Sequence, residues 1–437
     1  MLLHASTILA RTPAAILSYL SHLPKDLTSQ TLLFSLSTNT PASSLSSLVS
    51  SLTTLTSHQS IGCLSSPLPA LATWGHIACS LAFFDRKTCV PFRSDIRGRT
   101  ESQVGRWHAM RNKEGAAQEM EVEKHLTGKV DWEDVWSRSV GENDLPLELQ
   151  SLRPQDVHTV ITLTDNAPQG LTNALNAFPR ATKLGLIATS TPFITGRPFT
   201  LMHNQAIYSS GAVGLALTSR VRPSVDTAFP GLRALTPSVR VTRSEANLVH
   251  ELDHGNPSQL LLSAIQKHGI DNEAAKEDEF YLFVLRQNGR VQVHRIMSGD
   301  PTRGTMALES DAAPAEGTLV QVTPDDNPHI LVLVSDSTIR KLCHRSKHAP
   351  IKLPSSFLTP SSAADEIPPR IIAFMTSASD SLTDHSTPTE GPEDVQVYPN
   401  VFLASSENGF ILSRFEDDFA EATWKCTVAG GVARLEL

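Results

Sequence analysis

Cysteine is scarce in this chain: five residues, Cys63, Cys79, Cys89, Cys343 and Cys426, among 437. The number is odd and no two form a CxxC pair. That speaks against a disulfide-stapled secreted domain and against a zinc site built on paired cysteines. Long apolar runs are lacking as well. No stretch approaches the roughly 20 residues that cross a bilayer as a helix, so membrane insertion is not expected. Positive charge is in deficit, with 37 basic against 45 acidic residues and a formal net charge of −8. No Arg/Lys stripe with interleaved aromatics relieves that balance, which excludes nucleic acid as a main partner. Acidic residues are absent from positions 1–25, which carry Arg11, Lys25 and several Ser and Thr. Such a segment suits a mitochondrial presequence. The alternative, favoured by its capping pattern, is a domain helix over 13–23 with Thr12 as N-cap and Pro13 at the first helical position.

What is present is an ordinary globular composition, 40% apolar and 19% charged, long enough for two or three domains. Thr31–Leu36 reads as a strand. Between Ser35 and Ser60, 15 of 26 residues are Ser or Thr, yet Leu45, Leu48, Leu52 and Leu55 recur at helical spacing. An amphipathic helix with a hydroxyl-rich outer face fits both facts. Gln59–Pro67 reads as a strand running into a small-residue turn. Residues 98–150 are charged and look like an insertion or flap on the first domain. Val157–Leu163 and Leu184–Ala188 are strand-like and flank a helix over 168–177. After Pro257 a helix leads to strands at Phe280–Arg286 and Arg290–Met297, a hairpin around Gln287-Asn288-Gly289. The Pro- and Ser-rich segments 349–369 and 376–394 read as exposed loops.

The densest signal lies between Ile207 and Pro257. The apolar strand Ala212-Val213-Gly214-Leu215-Ala216-Leu217 is followed by the turn Pro230-Gly231. Then comes a segment that reads as strand, turn and helix, with Val239-Arg240-Val241-Thr242 and Glu251-Leu252-Asp253, stopping at Gly255-Asn256-Pro257. This arrangement resembles the FIST family of sensory domains, in which a "gaVGlal" strand precedes a "vTk…eLdg.P" segment. Ile61-Gly62-Cys63-Leu64-Ser65-Ser66 is similar to another of its elements. Two departures stand out. Phe374-Met375-Thr376-Ser377-Ala378-Ser379 replaces a strand end with Cys and Arg, and Ser406-Glu407-Asn408-Gly409 stands where relatives have a Gly-Glu turn.

The resemblance implies two consecutive halves, a FIST N-like domain over 1–250 and a FIST C-like domain over 251–437. The expected fold class is mixed α/β, with β-sheets covered by helices. It also implies a non-enzymatic sensor of small ligands, amino acids among them, or a protein-interaction scaffold, with no cofactor. No output domain and no F-box are recognisable. A substrate adaptor of a ubiquitin ligase lacking its own F-box is therefore the runner-up. The cysteine usage points to the cytoplasm or nucleus, with the mitochondrion as alternative.

Two sets of residues are candidates for chemistry. Gly62, Cys63, Ser65 and Ser66 place small groups at a strand end, where backbone N–H groups and hydroxyls can meet a small ligand; the competing reading is a tight structural turn. His250-Glu251-Leu252-Asp253-His254 matches the zinc-protease motif, with Glu273 at the spacing of a third ligand. On a helix, His250 and His254 would share a face and Glu251 would act as base. Against this metallopeptidase alternative, the segment stops at Gly255-Asn256-Pro257, and Glu273 lies in a run of carboxylates that matches by chance. Cys343-His344-Arg345 has basic neighbours that repel a cation, so it reads as a solvated loop.

Overall fold

The computed structural model describes residues 1–57, 59–68, 75–96, 145–218, 222–229, 232, 235–267, 280–285, 291–300, 304–310, 312–324, 351–352, 369–377, 395–416, 419–420 and 423–437. The expected insertion lies outside the described residues as far as 144, and so does most of the two Pro- and Ser-rich segments. The hairpin turn at 287–289, Glu273 and Cys343 lie outside them too.

Three sheets enclose the core, the third with one edge against the first. The first has eight strands, ordered Ile351–Lys352, Gln396–Pro399, Leu2–Ala10, Ile77–Phe84, Thr31–Ser37, Ser60–Ser65, Leu201–His203 and Ala206–Tyr208. The second has six, ordered Trp424–Cys426, Phe410–Ser413, Thr182–Ile187, Thr159–Thr164, Ala212–Leu217 and Cys89–Ser94. The third has four, ordered Ser224–Ala228, Val432–Glu436, Ile371–Thr376 and Val401–Ser406. Their inner faces close on one core, in which Leu33, Ile61 and Cys63 of the first sheet join Leu163, Leu186 and Val213 of the second. Phe374 and Phe402 of the third complete it.

The expectation of sheets covered by helices is corrected here. Strands hold 47% of the described residues and helices 21%. The physical reason is that the inner faces are mostly apolar, apart from buried hydroxyls such as Thr7 and Ser80, and bury one another, so helices are needed only on outer faces. Helices α1 (Pro13–Ser21) and α2 (Ala42–Thr54) cover the outer face of the first sheet, placing Ile16, Leu20, Leu48 and Leu52 against Leu32, Phe34 and Leu36. Helix α1 starts on Pro13, as its pattern predicts, although the Thr12 side chain makes no capping bond. The segment before it is not helical: Leu2–Ala10 is a central strand, paired with Ile77–Phe84 and with Gln396–Pro399. Thus residues from the end of the chain complete sheets begun at its start.

A second correction concerns residues 239–254, expected to run strand, turn, helix. Val239–Glu245 and Leu248–Leu252 form a hairpin instead, turning on Ala246 at φ 49°. The hairpin is part of a closed six-stranded barrel with Leu319–Pro324, Phe280–Leu285, Val291–Asp300 and Thr305–Leu308. Val239, Val241 and Val249 fill its interior beside Leu282, Met306 and Val322. Pairing on both sides outweighs the local helical look of the segment, as tertiary context does for short amphipathic runs. After short helices at Gln169–Ala174, within the span expected to be helical, and at Pro192–Thr195, the next helix begins only at Pro257 and runs to Lys267. Trp424 fixes the barrel to the sheets: its ring meets Phe229, His294 and Phe410, and Nε1 donates to the Val293 carbonyl at 3.3 Å.

Strand Val401–Ser406 lies at the edge of the third sheet, parallel to Ile371–Thr376 on one side only. Its other side meets hydroxyls. Thr7 Oγ1 donates to the Val401 carbonyl and accepts from the Leu403 N–H, both at 2.9 Å, and Ser80 Oγ donates to the Leu403 carbonyl. Ser66 N–H donates to the Ser405 carbonyl at 2.8 Å. Thr7, Ser80 and Ser405 are all fully buried or nearly so. Replacing Thr7 by Val keeps the shape and strands two buried backbone groups. We expect Thr7→Val to lose roughly 1–3 kcal/mol in urea unfolding, and Thr7→Ser to recover most of it. Equal stability of Thr7→Val and the parent would show that these bonds do not hold the sheets together.

Candidate functional site

Among the described residues, three pairs of parallel neighbours occur: Thr31–Ser37 with Ser60–Ser65, Thr159–Thr164 with Thr182–Ile187, and Ile371–Thr376 with Val401–Ser406. In sheets with parallel strands, the carboxyl ends leave backbone groups and loops free to form ligand sites. Here one strand end from each pair converges. Ser66 follows the first, Thr189 and Ser190 follow the second, and Glu407 and Asn408 follow the third.

Glu407 is the hub. Its carboxylate accepts from Ser66 Oγ at 2.7 Å, from the Ser190 N–H at 2.8 Å and from Asn408 Nδ2 at 3.2 Å. With the Ser66 proton committed to Glu407, the Thr189 hydroxyl, 3.0 Å away, donates to Ser66. Ser405 Oγ returns bonds to the carbonyls of Ser66 and Pro67 at 2.8 and 3.0 Å. Asn408 Nδ2 also reaches the Ala188 carbonyl at 2.9 Å, and the Ser377 N–H donates to Ser406. The turn beyond Glu407 depends on Gly409, at φ 84°: a Cβ there would sit 1.8 Å from the Cys426 carbonyl oxygen. Ser66 and Thr189 are buried, Glu407 is half-buried and Ser190 is exposed, so the junction opens to solvent at one side.

Of the four residues singled out in the sequence, only Ser66 takes part in this junction. Gly62 is packed beneath the Phe34 ring, 2.5 Å from where a Cβ would stand, and serves close packing. The Ser65 hydroxyl accepts from Ser35 at 2.7 Å, below the surface. Burial pushes the Cys63 thiol up to about 12, with a hydrogen bond from Ser35 opposing it, so it is no nucleophile near neutral pH. Glu407 was not among the candidates. Its signal was the Gly-Glu turn of the resemblance, visible only in altered form as Ser406-Glu407.

The zinc-protease motif takes another course. His250 and Glu251 stand on a strand of the barrel and His254 in the left-handed turn after it, at φ 61°. The four-residue spacing therefore does not bring the two imidazoles to one helix face. His250 Nε2 lies 3.8 Å from Glu245 and His254 Nδ1 4.0 Å from Glu251, while Arg243 lies 3.5 Å from Glu251. These are cross-strand and turn contacts of a hairpin rather than a ligand set. Among the described residues, no group of three or more His, Cys, Asp or Glu is placed to hold a metal ion.

A family model described as the FIST N domain matches residues 39–255. The match includes Ser66, Thr189 and Ser190 and stops well short of Glu407. Among curated proteins, none matches the chain.

All four described cysteines are free and buried, and Cys63, Cys79, Cys89 and Cys426 each have their thiol raised to about 12 by burial. A thiol whose folded pKa is raised favours the folded state fully below its unfolded pKa and loses that contribution as pH climbs towards the folded value. Stability should therefore fall between about pH 9 and about pH 12. At pH 8 the native chain should leave these four thiols unalkylated by iodoacetamide, while urea exposes them. Rapid native labelling of Cys63, read by mass spectrometry, would contradict its placement.

Proposed function

The chain belongs to the FIST domain family, a family of sensory and signal-transduction domains, and from that premise we propose that it senses a small polar ligand at the Ser66–Glu407 junction without transforming it. One observation carries this reading. A half-buried carboxylate is gripped by donors from separate chain segments at the converging ends of parallel strands. A carboxylate offers about four lone-pair positions, and three are occupied. The fourth is available to a ligand donor, and an ammonium group is the strongest partner for it. An amino acid is the ligand class that meets this need while its carboxylate reaches the exposed Ser190 hydroxyl.

Binding there acts on the fold because the junction joins the family-matched part of the chain to its last quarter. A ligand held at both would tie the strand ends together and stabilise the folded state in proportion to its occupancy, about 2.7 kcal/mol at a hundredfold excess over Kd. The signal then leaves through a protein bound to the stabilised form. Four buried free thiols favour a reducing compartment, in keeping with a cytoplasmic or nuclear location.

The test is a thermal-shift and calorimetry panel of the common amino acids on the full chain. One or a few should raise the Tm, and Glu407→Gln should weaken their binding by roughly tenfold or more while the unliganded circular dichroism stays unchanged. No shift with any amino acid at millimolar concentration, or equal binding by Glu407→Gln, would overturn the proposal.

A further inference from the structure

The second sheet carries another feature at its opposite end. Where strand Thr159–Thr164 begins and Ala212–Leu217 finishes, an open cleft of ≈ 400 Å³ is lined by Ser151, Leu152, Arg153, Asp156, His158 and Thr218. Its frame is firmly held. Leu149 and Val157, both fully buried, anchor the segment on either side in the core beneath the outer face of the sheet. The His158 backbone is tied at both ends, its N–H to the Leu217 carbonyl at 3.1 Å and its carbonyl to the Thr182 N–H at 3.0 Å. The Thr218 N–H is held by the Thr88 carbonyl at 3.0 Å.

The side chains on that frame are uncommitted. Among the described residues, none of Ser151, Arg153, Asp156, His158 and Thr218 makes a side-chain hydrogen bond or ion pair. Arg153 and Asp156 stand three residues apart across the turn Pro154–Asp156 and still form no pair. A fixed backbone here presents a guanidinium, an imidazole, a carboxylate and two hydroxyls to one open concave space, with Ser151, Arg153 and Asp156 exposed and His158 and Thr218 half-buried. The volume lies in the usual range for small-molecule sites, roughly 300–1,000 Å³.

We propose that this cleft is a second binding site, taking a small hydroxylated molecule with an oxyacid head, either a phosphate or a carboxylate. The planar fork of Arg153 matches an oxyacid head through two parallel hydrogen bonds, and His158 can add a third donor. Asp156 can only accept when ionised, so it repels a bare anion and selects for hydroxyl donors on the body of the ligand. Ser151 and Thr218 donate or accept as needed, and Leu152 offers an apolar surface to the carbon chain. The cleft is separate from the Ser66–Glu407 junction, so its occupant does not compete with a ligand there.

Ligand-observed saturation-transfer NMR and calorimetry on the full chain test this with four probes: glycerol 3-phosphate, glycerate, inorganic phosphate and glycerol. Glycerol 3-phosphate or glycerate should bind, glycerol should not, and the better of the two identifies the head. Arg153→Ala should weaken that binding by roughly tenfold or more. Asp156→Asn should weaken the hydroxylated probe and strengthen inorganic phosphate, a reversal that a merely structural role does not produce. Glu407→Gln should leave all four results unchanged. The proposal is overturned if neither hydroxylated anion binds, if Arg153→Ala binds as well as the parent, or if Glu407→Gln abolishes the binding.

Discussion

A strand at the edge of a sheet leaves every second residue with backbone groups that no ladder satisfies, and burying such an edge costs about 1–3 kcal/mol for each group left unpaired. Strand Val401–Ser406 is such an edge, and it lies deep inside the molecule. Its outward-facing residues are Val401, Leu403 and Ser405, and their backbone groups are met by Thr7, by Ser80 and by the backbone of Ser66. The polar residues of the first sheet's inner face thus do the work that another strand would do in a ladder. The remaining architecture follows from this arrangement. It lets the third sheet stand edge-on against the first, brings the end of the chain onto its beginning, and leaves room for the second sheet to close the core.

The Ser66–Glu407 junction is the open end of the same seam. Once Val401–Ser406 is laid against the first sheet, the residues just after it fall beside Ser66 and beside the loop that follows Thr182–Ile187. A carboxylate at that point gathers donors from both. Structure and candidate function share one cause: the bonds that align the sheets also deliver Glu407 to three strand ends. The barrel takes no part in this. It is docked through Trp424 and its aromatic neighbours, and its one chemically suggestive segment, the two-histidine run at 250–254, serves a hairpin.

Much of the fold was legible in short range. Thr31–Ser37, α2, Ser60–Ser65 and Thr182–Ile187 follow their apolar periodicities closely, because each is an element whose pattern and neighbours agree. The strand Leu2–Ala10 was hidden by the presequence-like composition around it. The hairpin at 239–252 was hidden for another reason: its alternation is interrupted by register shifts between Val241 and Ser244, so its apolar spacing imitates a helix. Only closure of the barrel on both sides settles that segment as strand.

By itself the sequence determined the family, the local elements with strong periodicity, and the small-residue strand end that contains Ser66. Those depend on neighbours a few residues apart, and a linear pattern records them. The tertiary structure alone decided that sheets pack on sheets with few helices between, that Gly62, Cys63 and Ser65 are buried, and that Glu407 meets Ser66 across 341 positions of chain. Hydrogen bonds of that range leave no periodicity behind. They arise because a buried edge must find partners, and which hydroxyls are near enough is fixed only once the sheets have closed.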